Sequence, residues 1–157
     1  MRRCGRPPFI VREVRYDEER LRERAFALRA RVWRELLGAS WAARDDEHAR
    51  HFVALDHDTV VGIARLRFHG RVALLDHLAT DVSRRGQGIA RCLDAVRLFA
   101  IDREGRVESL VRVPCSEPTG WARVEALERR GFQRLARGFD VPAEGHRWLP
   151  MRRPPRM

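Results

Sequence analysis

The chain has 157 residues, of which 44% are hydrophobic, so we expect a single domain with a substantial core. No apolar run reaches the length of a membrane span, and the basic start MRRCGRPPF lacks the apolar segment of a secretory signal. The cysteines (Cys4, Cys92 and Cys115) are isolated and odd in number. They therefore predict neither a disulfide framework nor a zinc site, and they favour a reducing, cytoplasmic location.

The formal net charge is +10, and the chain contains Arg but no Lys. These arginines are spread along the chain, clustering only in the two tails, and aromatic residues do not interleave with the clusters as in single-strand binders. Nucleic acid is therefore not the favoured partner. We expect a disordered basic arm at residues 1–8, one domain over 9–151 and a basic tail at 152–157.

Hydrophobic patterning predicts the first half of the chain as a strand, a helix and a hairpin. Asp17 is placed to cap the helix, and Gly38 is placed to end it. Residues 40–50 are predicted as a loop or a short second helix. The predicted strands here are 9–14, 51–55 and 60–68.

The second half alternates strands with helices. A helix begins after Gly88 with one apolar face at Ile89, Leu93, Val96 and Ala100. Gly105 marks its end, and another helix runs from about Trp121 to Gly131. The predicted strands here are 74–79, 107–113, 132–139 and 146–151. The complete order predicts a mixed sheet with helices on its faces.

The strand at 74–79 leads through a polar turn into Gly86, Gln87 and Gly88, which open the following helix. Glycines let the backbone approach a ligand closely, and the first helical N–H groups attract anions. This arrangement predicts a phosphate-binding turn.

The run Arg85-Gly86-Gln87-Gly88-Ile89-Ala90, with Leu78-Ala79-Thr80-Asp81 before it, resembles the signature of GNAT-superfamily N-acetyltransferases. The later helix that closes in Gly131-Phe132 matches their second marker, and the similarity extends over 9–151. The resemblance implies an α/β (α+β) fold. Its central sheet would be mixed, mostly antiparallel, with six or seven strands and about four flanking helices. It also implies an enzyme that transfers an acetyl group to a primary amine by direct attack, through a tetrahedral intermediate.

The cofactor implied by this resemblance is acetyl-CoA. Its pyrophosphate would lie on the amides of 86–90 beside Arg85. In the family the preceding strand bulges and splays from its neighbour, here 107–113, and the pantetheine arm bonds to the exposed backbone. One N–H there would stabilise the oxyanion. The implied cofactor-binding residues are Leu78, Ala79, Thr80, Arg85, Gly86, Gln87, Gly88, Ile89 and Ala90.

Direct transfer needs a neutral amine, so a base or a water chain must take its proton. Asp76 lies where the family often places a carboxylate base, and His77 and Glu117 are the other candidates. Strand alternation predicts that the side chains of Asp76 and His77 point to opposite faces. A capping or solvated role is an equal alternative for each.

The family's proton donor is commonly a Tyr on the last long helix, and that position here is Leu127. The usual Asn near the start of that helix corresponds to Gly120, and Tyr16, which lies in the first turn, is not assumed to be a substitute. The general acid is therefore water, a cleft residue such as Ser116, or unnecessary. Cys115 has no activating base beside it and is predicted to be a small buried residue rather than a nucleophile.

The family builds its acceptor site from the first helices and their loop, which places Trp33, Trp41, Asp45 and Asp46 there. An acidic rim with aromatic residues suits a cationic amine, whereas core packing and helix-dipole complementation explain the same residues without a ligand. We expect a small-molecule or protein amine as acceptor and no metal. Whether the chain forms a homodimer is left open.

Two alternatives remain. The segment LRARVWRELLG followed by Trp41, Asp45 and Asp46, and then GIARLRF, is similar to acyl-homoserine-lactone synthases. That similarity implies a longer acyl group from acyl-CoA or an acyl carrier protein, although RGQGIA is not typical of those synthases. The other alternative is a non-catalytic module that binds CoA or associates with nucleic acid.

Overall fold

The computed structural model describes residues 8–37, 44–115, 118–135 and 148–156. Within these ranges it contains seven strands, three α-helices and two 3-10 helices, Asp46–His48 and Val82–Arg84. The strands are β1 (Ile10–Glu13), β2 (Arg50–Asp56), β3 (Thr59–His69), β4 (Val72–Thr80), β5 (Glu108–Pro114), β6 (Gln133–Arg134) and β7 (Trp148–Arg153). The α-helices are α1 (Glu19–Leu37), α2 (Ile89–Arg103) and α3 (Pro118–Glu128).

The mixed α/β fold predicted from the sequence is confirmed, with one helix fewer in the described ranges than the four expected. The region predicted as a loop or second helix contains the 3-10 turn Asp46–His48, and its residues 40–43 lie outside the described ranges. Residues 1–7 of the predicted basic arm and 136–139 of the predicted strand lie outside them as well.

All seven strands form one sheet in the order β1-β2-β3-β4-β5-β7-β6. Every neighbouring pair is antiparallel except β4 and β5, which run parallel. The parallel pairing joins Val72–Leu75 to Glu108–Val111 and ends there. Beyond it β5 keeps pairing with β7 as far as Pro114, while β4 keeps pairing with β3 as far as Thr80. The two central strands therefore splay apart at their carboxyl ends.

The helices cover both faces of the sheet. One face is packed by α1 through Ala25, Leu28 and Val32, whose spacing of three and four residues forms one buried stripe. The other face is packed by α2 and α3. No helix in the described ranges is long and apolar enough to cross a membrane.

The last strand extends beyond the predicted domain end at residue 151. Arg152 pairs with Glu108 on β5 at 2.7 Å, and the buried Arg153 pairs with Asp102 on α2 at 2.7 Å. These two arginines, predicted to lie in a basic tail, are therefore strand residues held by carboxylates.

Candidate functional site

A β-bulge interrupts β4 next to the splayed end of the sheet. Arg65 pairs with Asp76 and Ile63 pairs with Ala79, so His77 and Leu78 together oppose the single residue Ala64. His77 has φ of +50°, in the left-handed region that a residue with a side chain occupies at a cost. The strand therefore changes direction where its pairing with β5 has ended.

The bulge overturns the expectation that Asp76 and His77 point to opposite faces. Arg65 Nε donates to Asp76 Oδ1 at 2.8 Å, and the same guanidinium donates from Nη2 to His77 Nε2 at 2.9 Å. Both side chains thus lie on the face of the sheet that carries Arg65. Simple alternation fails because the extra residue of a bulge breaks the two-residue period of the strand.

Two arginines hold Asp76. Besides the bond to Oδ1, Arg65 Nη2 donates to Asp76 Oδ2 at 3.0 Å, and Arg67 donates to Oδ2 from Nε at 3.2 Å and from Nη2 at 2.8 Å. Burial pushes the pKa of Asp76 upward, but the hydrogen bonds and charges of these guanidinium groups outweigh it. The net result is a pKa below the usual carboxyl value, so this group holds a proton poorly.

His77 is neutral at physiological pH. Burial lowers its pKa to about 4; the charge of Asp76 opposes this shift, and the nearby arginines Arg65 and Arg29 add to it. Because a guanidinium can only donate, Nε2 must accept and the proton of the ring lies on Nδ1. That Nδ1 is buried and has no partner among the described residues, while Trp33 meets the ring edge-on with centroids 4.9 Å apart.

The glycine turn lies directly before α2, where the sequence predicts it. Gly86 and Gly88 have φ of +80° and +83°, which glycine adopts without strain, and Gly88 is the N-cap of the helix. A Cβ at either position would meet nothing within 4 Å, so the space outside the turn is open. Gln87 is exposed, Arg85 and Ala90 are partly buried, and Ile89 anchors the helix start in the core.

The structure accounts for the missing proton donor on α3. Leu127 is 1% exposed and belongs to the core. A Cβ on Gly120 would lie 1.9 Å from the carbonyl oxygen of Pro114, so no side chain fits where the family usually has Asn. Cys115, at the end of β5, donates to the carbonyl of Val113 at 3.4 Å, and burial raises the pKa of its thiol. A raised pKa disfavours the thiolate that a nucleophile needs.

The acidic pair predicted to face the acceptor is engaged in ion pairs. Asp46 accepts hydrogen bonds from Arg29 of α1, from His51 of β2 and from Arg65 of β3. Asp45 accepts one from Arg67 at 3.3 Å. These contacts fasten the turn at 44–48 to the sheet beside Asp76. Trp41, Ser116 and Glu117 lie outside the described residues, so their predicted roles stay predictions.

Sequence reasoning missed the arginines that organise this region. The buried face of α2 includes Asp94 and Arg97 as well as the apolar residues, and Arg97 is fully buried. Arg65, which holds both Asp76 and His77, is 2% exposed. Because the chain is so rich in Arg, composition could not single these out. The spacing of Asp94 and Arg97, an acidic and a basic residue three positions apart on α2, was the one sequence signal for their ion pair.

A cavity of about 630 Å³ lies away from this region. It is bounded by the β3–β4 turn and by the connection from α2 to β5, and so lies at the opposite end of α2 from the glycine turn. The described residues contain no group of three His, Cys, Asp or Glu side chains that could hold a metal ion.

The sequence profile of the Acetyltransferase (GNAT) family matches residues 12–111, which include the bulged strand, the glycine turn and α2. The chain belongs to this family. It is therefore a GNAT acetyltransferase, in agreement with the resemblance that its motifs had indicated. Among curated proteins, none matches the chain significantly in sequence.

Solved structures of other GNAT proteins share this fold. The ribosomal-protein-S18-alanine N-acetyltransferase of Escherichia coli is 16% identical, with a TM-score of 0.72 and 95% of each chain covered. A putative N-acetyltransferase from Lactobacillus plantarum is 19% identical, with a TM-score of 0.73 and coverage of 94% of this chain and 99% of its own. The NatC complex bound to Gag peptide and CoA contains a chain 17% identical, with a TM-score of 0.70 and coverage of 93% and 98%.

The backbone edge of β4 and the glycine turn before α2 fit a CoA thioester. The splayed ends of β4 and β5 leave one backbone edge of residues 76–80 without a strand partner among the described residues. Thr80, the last residue of β4, has a buried Oγ1 with no partner in the described part of the chain. Farther along, the open turn at Gly86 and Gly88 precedes a helix of 15 residues, whose first N–H groups suit a pyrophosphate.

Proposed function

We propose that this GNAT enzyme transfers an acetyl group from acetyl-CoA to the primary amine of a small molecule or protein. The observation that carries the proposal is the continuity of the splayed β4 edge with the glycine turn of α2. A ligand with an amide-bearing arm and a pyrophosphate matches both features in that order. Strand edges recognise extended amides through backbone hydrogen bonds, and helix N-termini recognise phosphates.

Acetyl-CoA would supply an activated acetyl group with a thioester carbonyl. A backbone N–H in the run from Leu78 to Thr80 would polarise that carbonyl, and such a donor is worth about 3 kcal/mol in acyl transfer. In the proposed transfer the amine nitrogen would form the new C–N bond as the C–S bond of the thioester breaks; the sulfur would leave as the CoA thiolate, and the nitrogen would lose one proton.

The contacts of Asp76 favour a positioning role over a general base. To bind a proton it would have to give up hydrogen bonds from Arg65 or Arg67, and its pKa already lies below the usual value. His77, with a pKa of about 4 and Nε2 already accepting a hydrogen bond, is also a weak base. We propose that the proton leaves through water or through Glu117.

The sharpest test of the cofactor site compares two glycines at opposite ends of α2. Gly88 and Gly105 both have positive φ, and a Cβ on either meets nothing within 4 Å. Gly88→Ala and Gly105→Ala should therefore each cost about 1–2 kcal/mol of stability from backbone strain alone. Only Gly88→Ala should weaken acetyl-CoA binding, because only Gly88 lies in the proposed pyrophosphate turn. Calorimetric titration with acetyl-CoA measures the difference, and equal affinity in both variants contradicts the proposed site.

Donor and acceptor are tested together on the wild-type chain. Saturating acetyl-CoA should raise the melting temperature, since a ligand that binds only the folded state stabilises it. An amine panel with detection of released thiol should then identify the acceptor class. A melting shift with a long-chain acyl-CoA or acyl carrier protein, but not with acetyl-CoA, would instead support the longer-chain acyltransferase. Binding of acetyl-CoA without thiol release across the panel would favour the non-catalytic module.

A further inference from the structure

A buried ionic cluster lies behind the β4 bulge and spans two helices. Asp94 on α2 accepts a hydrogen bond from Arg97 Nη2 at 2.6 Å. It also accepts from Arg123 of α3, from Nε at 3.0 Å and from Nη2 at 2.9 Å. Arg97 is 0% exposed and Asp94 is 3% exposed. Burying ions is unfavourable unless their partners are well placed, so these contacts define a specific arrangement rather than a solvated surface pair.

The second amino group of Arg97 reaches the sheet. Nη1 donates to the carbonyl oxygen of Arg65 at 2.8 Å and to that of Asp76 at 3.2 Å. Arg65 and Asp76 are the cross-strand partners at one end of the bulge. One guanidinium therefore bridges β3 and β4 where their regular ladder is interrupted.

This contact fixes a peptide group of the proposed cofactor cleft. The Asp76 carbonyl belongs to the peptide that carries the N–H of His77. A trans peptide is planar, so holding its oxygen on the α2 side directs that N–H the opposite way. His77 is also the residue with φ of +50°. The charged hydrogen bond from Arg97 thus acts next to the most strained backbone position of the strand.

Arg123 connects the cluster to the other wall of the cleft. It lies on α3, whose N-terminal turn comes so close to β5 that a Cβ on Gly120 would collide with the Pro114 carbonyl. The chain of contacts from α3 through Asp94 to Arg97 therefore links the end of β5 to the bulge of β4. These are the two strands that splay apart.

We propose that Asp94, Arg97 and Arg123 form a brace that holds the β4 bulge open before the cofactor binds, with Arg97 as its positioning residue. The effect on cofactor affinity rests on the proposed function, whereas the effect on the bulge is a property of the protein without ligand. Arg97 touches neither substrate in this scheme. It acts through the backbone of residues 76–80.

The test removes the brace without leaving an unpaired buried charge. The double variant Asp94→Leu/Arg97→Leu replaces both ions by apolar side chains, a change that folded proteins often accept, and Arg123 is partly exposed and can turn to water. The matched control is Ile101→Ala, a fully buried truncation on the same helix that leaves Arg97 in place. Arg97→Lys is the milder second variant, because it keeps the charge but loses the planar fork that bridges Asp94 and two carbonyls.

Two measurements test the brace and the proposed function independently of each other. Hydrogen–deuterium exchange of residues 76–80 in the protein without ligand should be about tenfold faster in the double variant than in the control, and intermediate in Arg97→Lys. The dissociation constant of CoA and the KM for acetyl-CoA should rise about tenfold, with the KM of the acceptor unchanged. Exchange at 76–80 that matches the control in both folded variants overturns the brace. Absence of CoA binding by the wild-type protein overturns the proposed function, and the exchange data still decide the brace.

Discussion

Asp76 and His77 both accept hydrogen bonds from arginine side chains. Asp76 is a carboxylate whose two oxygens accept four hydrogen bonds from Arg65 and Arg67. His77 is held as a neutral ring with its proton on Nδ1. Proximity to the site does not make either residue a proton acceptor, because the guanidinium groups keep Asp76 ionised and burial keeps His77 neutral.

Asp76→Asn distinguishes a positioning role from a general base. The amide leaves two guanidinium groups without their full counter-charge, so the free energy of unfolding should fall by about 2 kcal/mol. Turnover should fall by much less than the 10²–10⁴-fold loss that removing a base causes. Urea unfolding and kcat measured on the same preparation check both values. A 10³-fold loss of kcat with unchanged stability and acetyl-CoA affinity would restore Asp76 as the base.

The elements around the cleft are positioned by close backbone approaches. Gly62 on β3, opposite Thr80, lets the first turn of α2 pack directly on the sheet. A Cβ there would lie 2.6 Å from Ile89 Cγ2 and 3.1 Å from Leu93 Cδ1. The start of α2, and with it the glycine turn, is therefore placed by the absence of a side chain on a neighbouring strand.

Gly62→Ala should push the start of α2 away from the sheet. Overpacking of this kind costs about 1–3 kcal/mol, and acetyl-CoA affinity should fall with it because the turn at 86–88 moves with the helix. Gly70→Ala is the control, since its Cβ meets nothing and its cost comes only from a φ of +58°. Thermal unfolding and calorimetric titration compare the two. If both variants lose the same stability and bind acetyl-CoA equally, α2 is not positioned by Gly62.

Many arginines in the described part of the chain form ion pairs that join different elements of the fold. Arginines join α1 to the turn at 44–48, β3 to β4, α2 to α3 and β7 to both β5 and α2. Their partners Asp46, Asp76 and Asp94 have pKa values below the usual range, because the guanidinium groups outweigh the effect of burial. The fold therefore depends on these carboxylates staying ionised.

The free energy of unfolding should fall over two successive pH ranges as the solution is acidified. Burial lowers the pKa of His77 to about 4 from 6.5, and burial lowers that of His51 as well. Between these values the unfolded chain binds protons that the folded chain does not, so stability decreases as pH falls from about 6.5. His77 contributes up to about 3 kcal/mol to this loss, and the paired carboxylates add theirs below about pH 4.

Urea unfolding at pH values from 7.5 to 4.5 measures the first stage. His77→Gln keeps an acceptor for Arg65 but does not titrate. It should therefore reduce the change in the free energy of unfolding per pH unit, and the part of that change due to His51 should remain. A stability that stays constant down to pH 5 in the wild-type chain would contradict a neutral buried His77.

The amino-acid sequence alone determined the order of strands and helices, the glycine turn and the GNAT family. The order of elements and the turn depend on local signals, namely apolar periodicity and the backbone freedom of Gly86 and Gly88, whereas the family follows from the resemblance of the motifs to its signature. The bulge at His77 was expected only through the family resemblance. Its consequence, that Asp76 and His77 share a face, depends on how β4 registers against β3. Only the tertiary structure decided the protonation of these groups and the burial of Arg97. Their partners are distant in sequence, and in a chain with so many arginines the neighbouring residues do not predict which carboxylate each arginine will pair with.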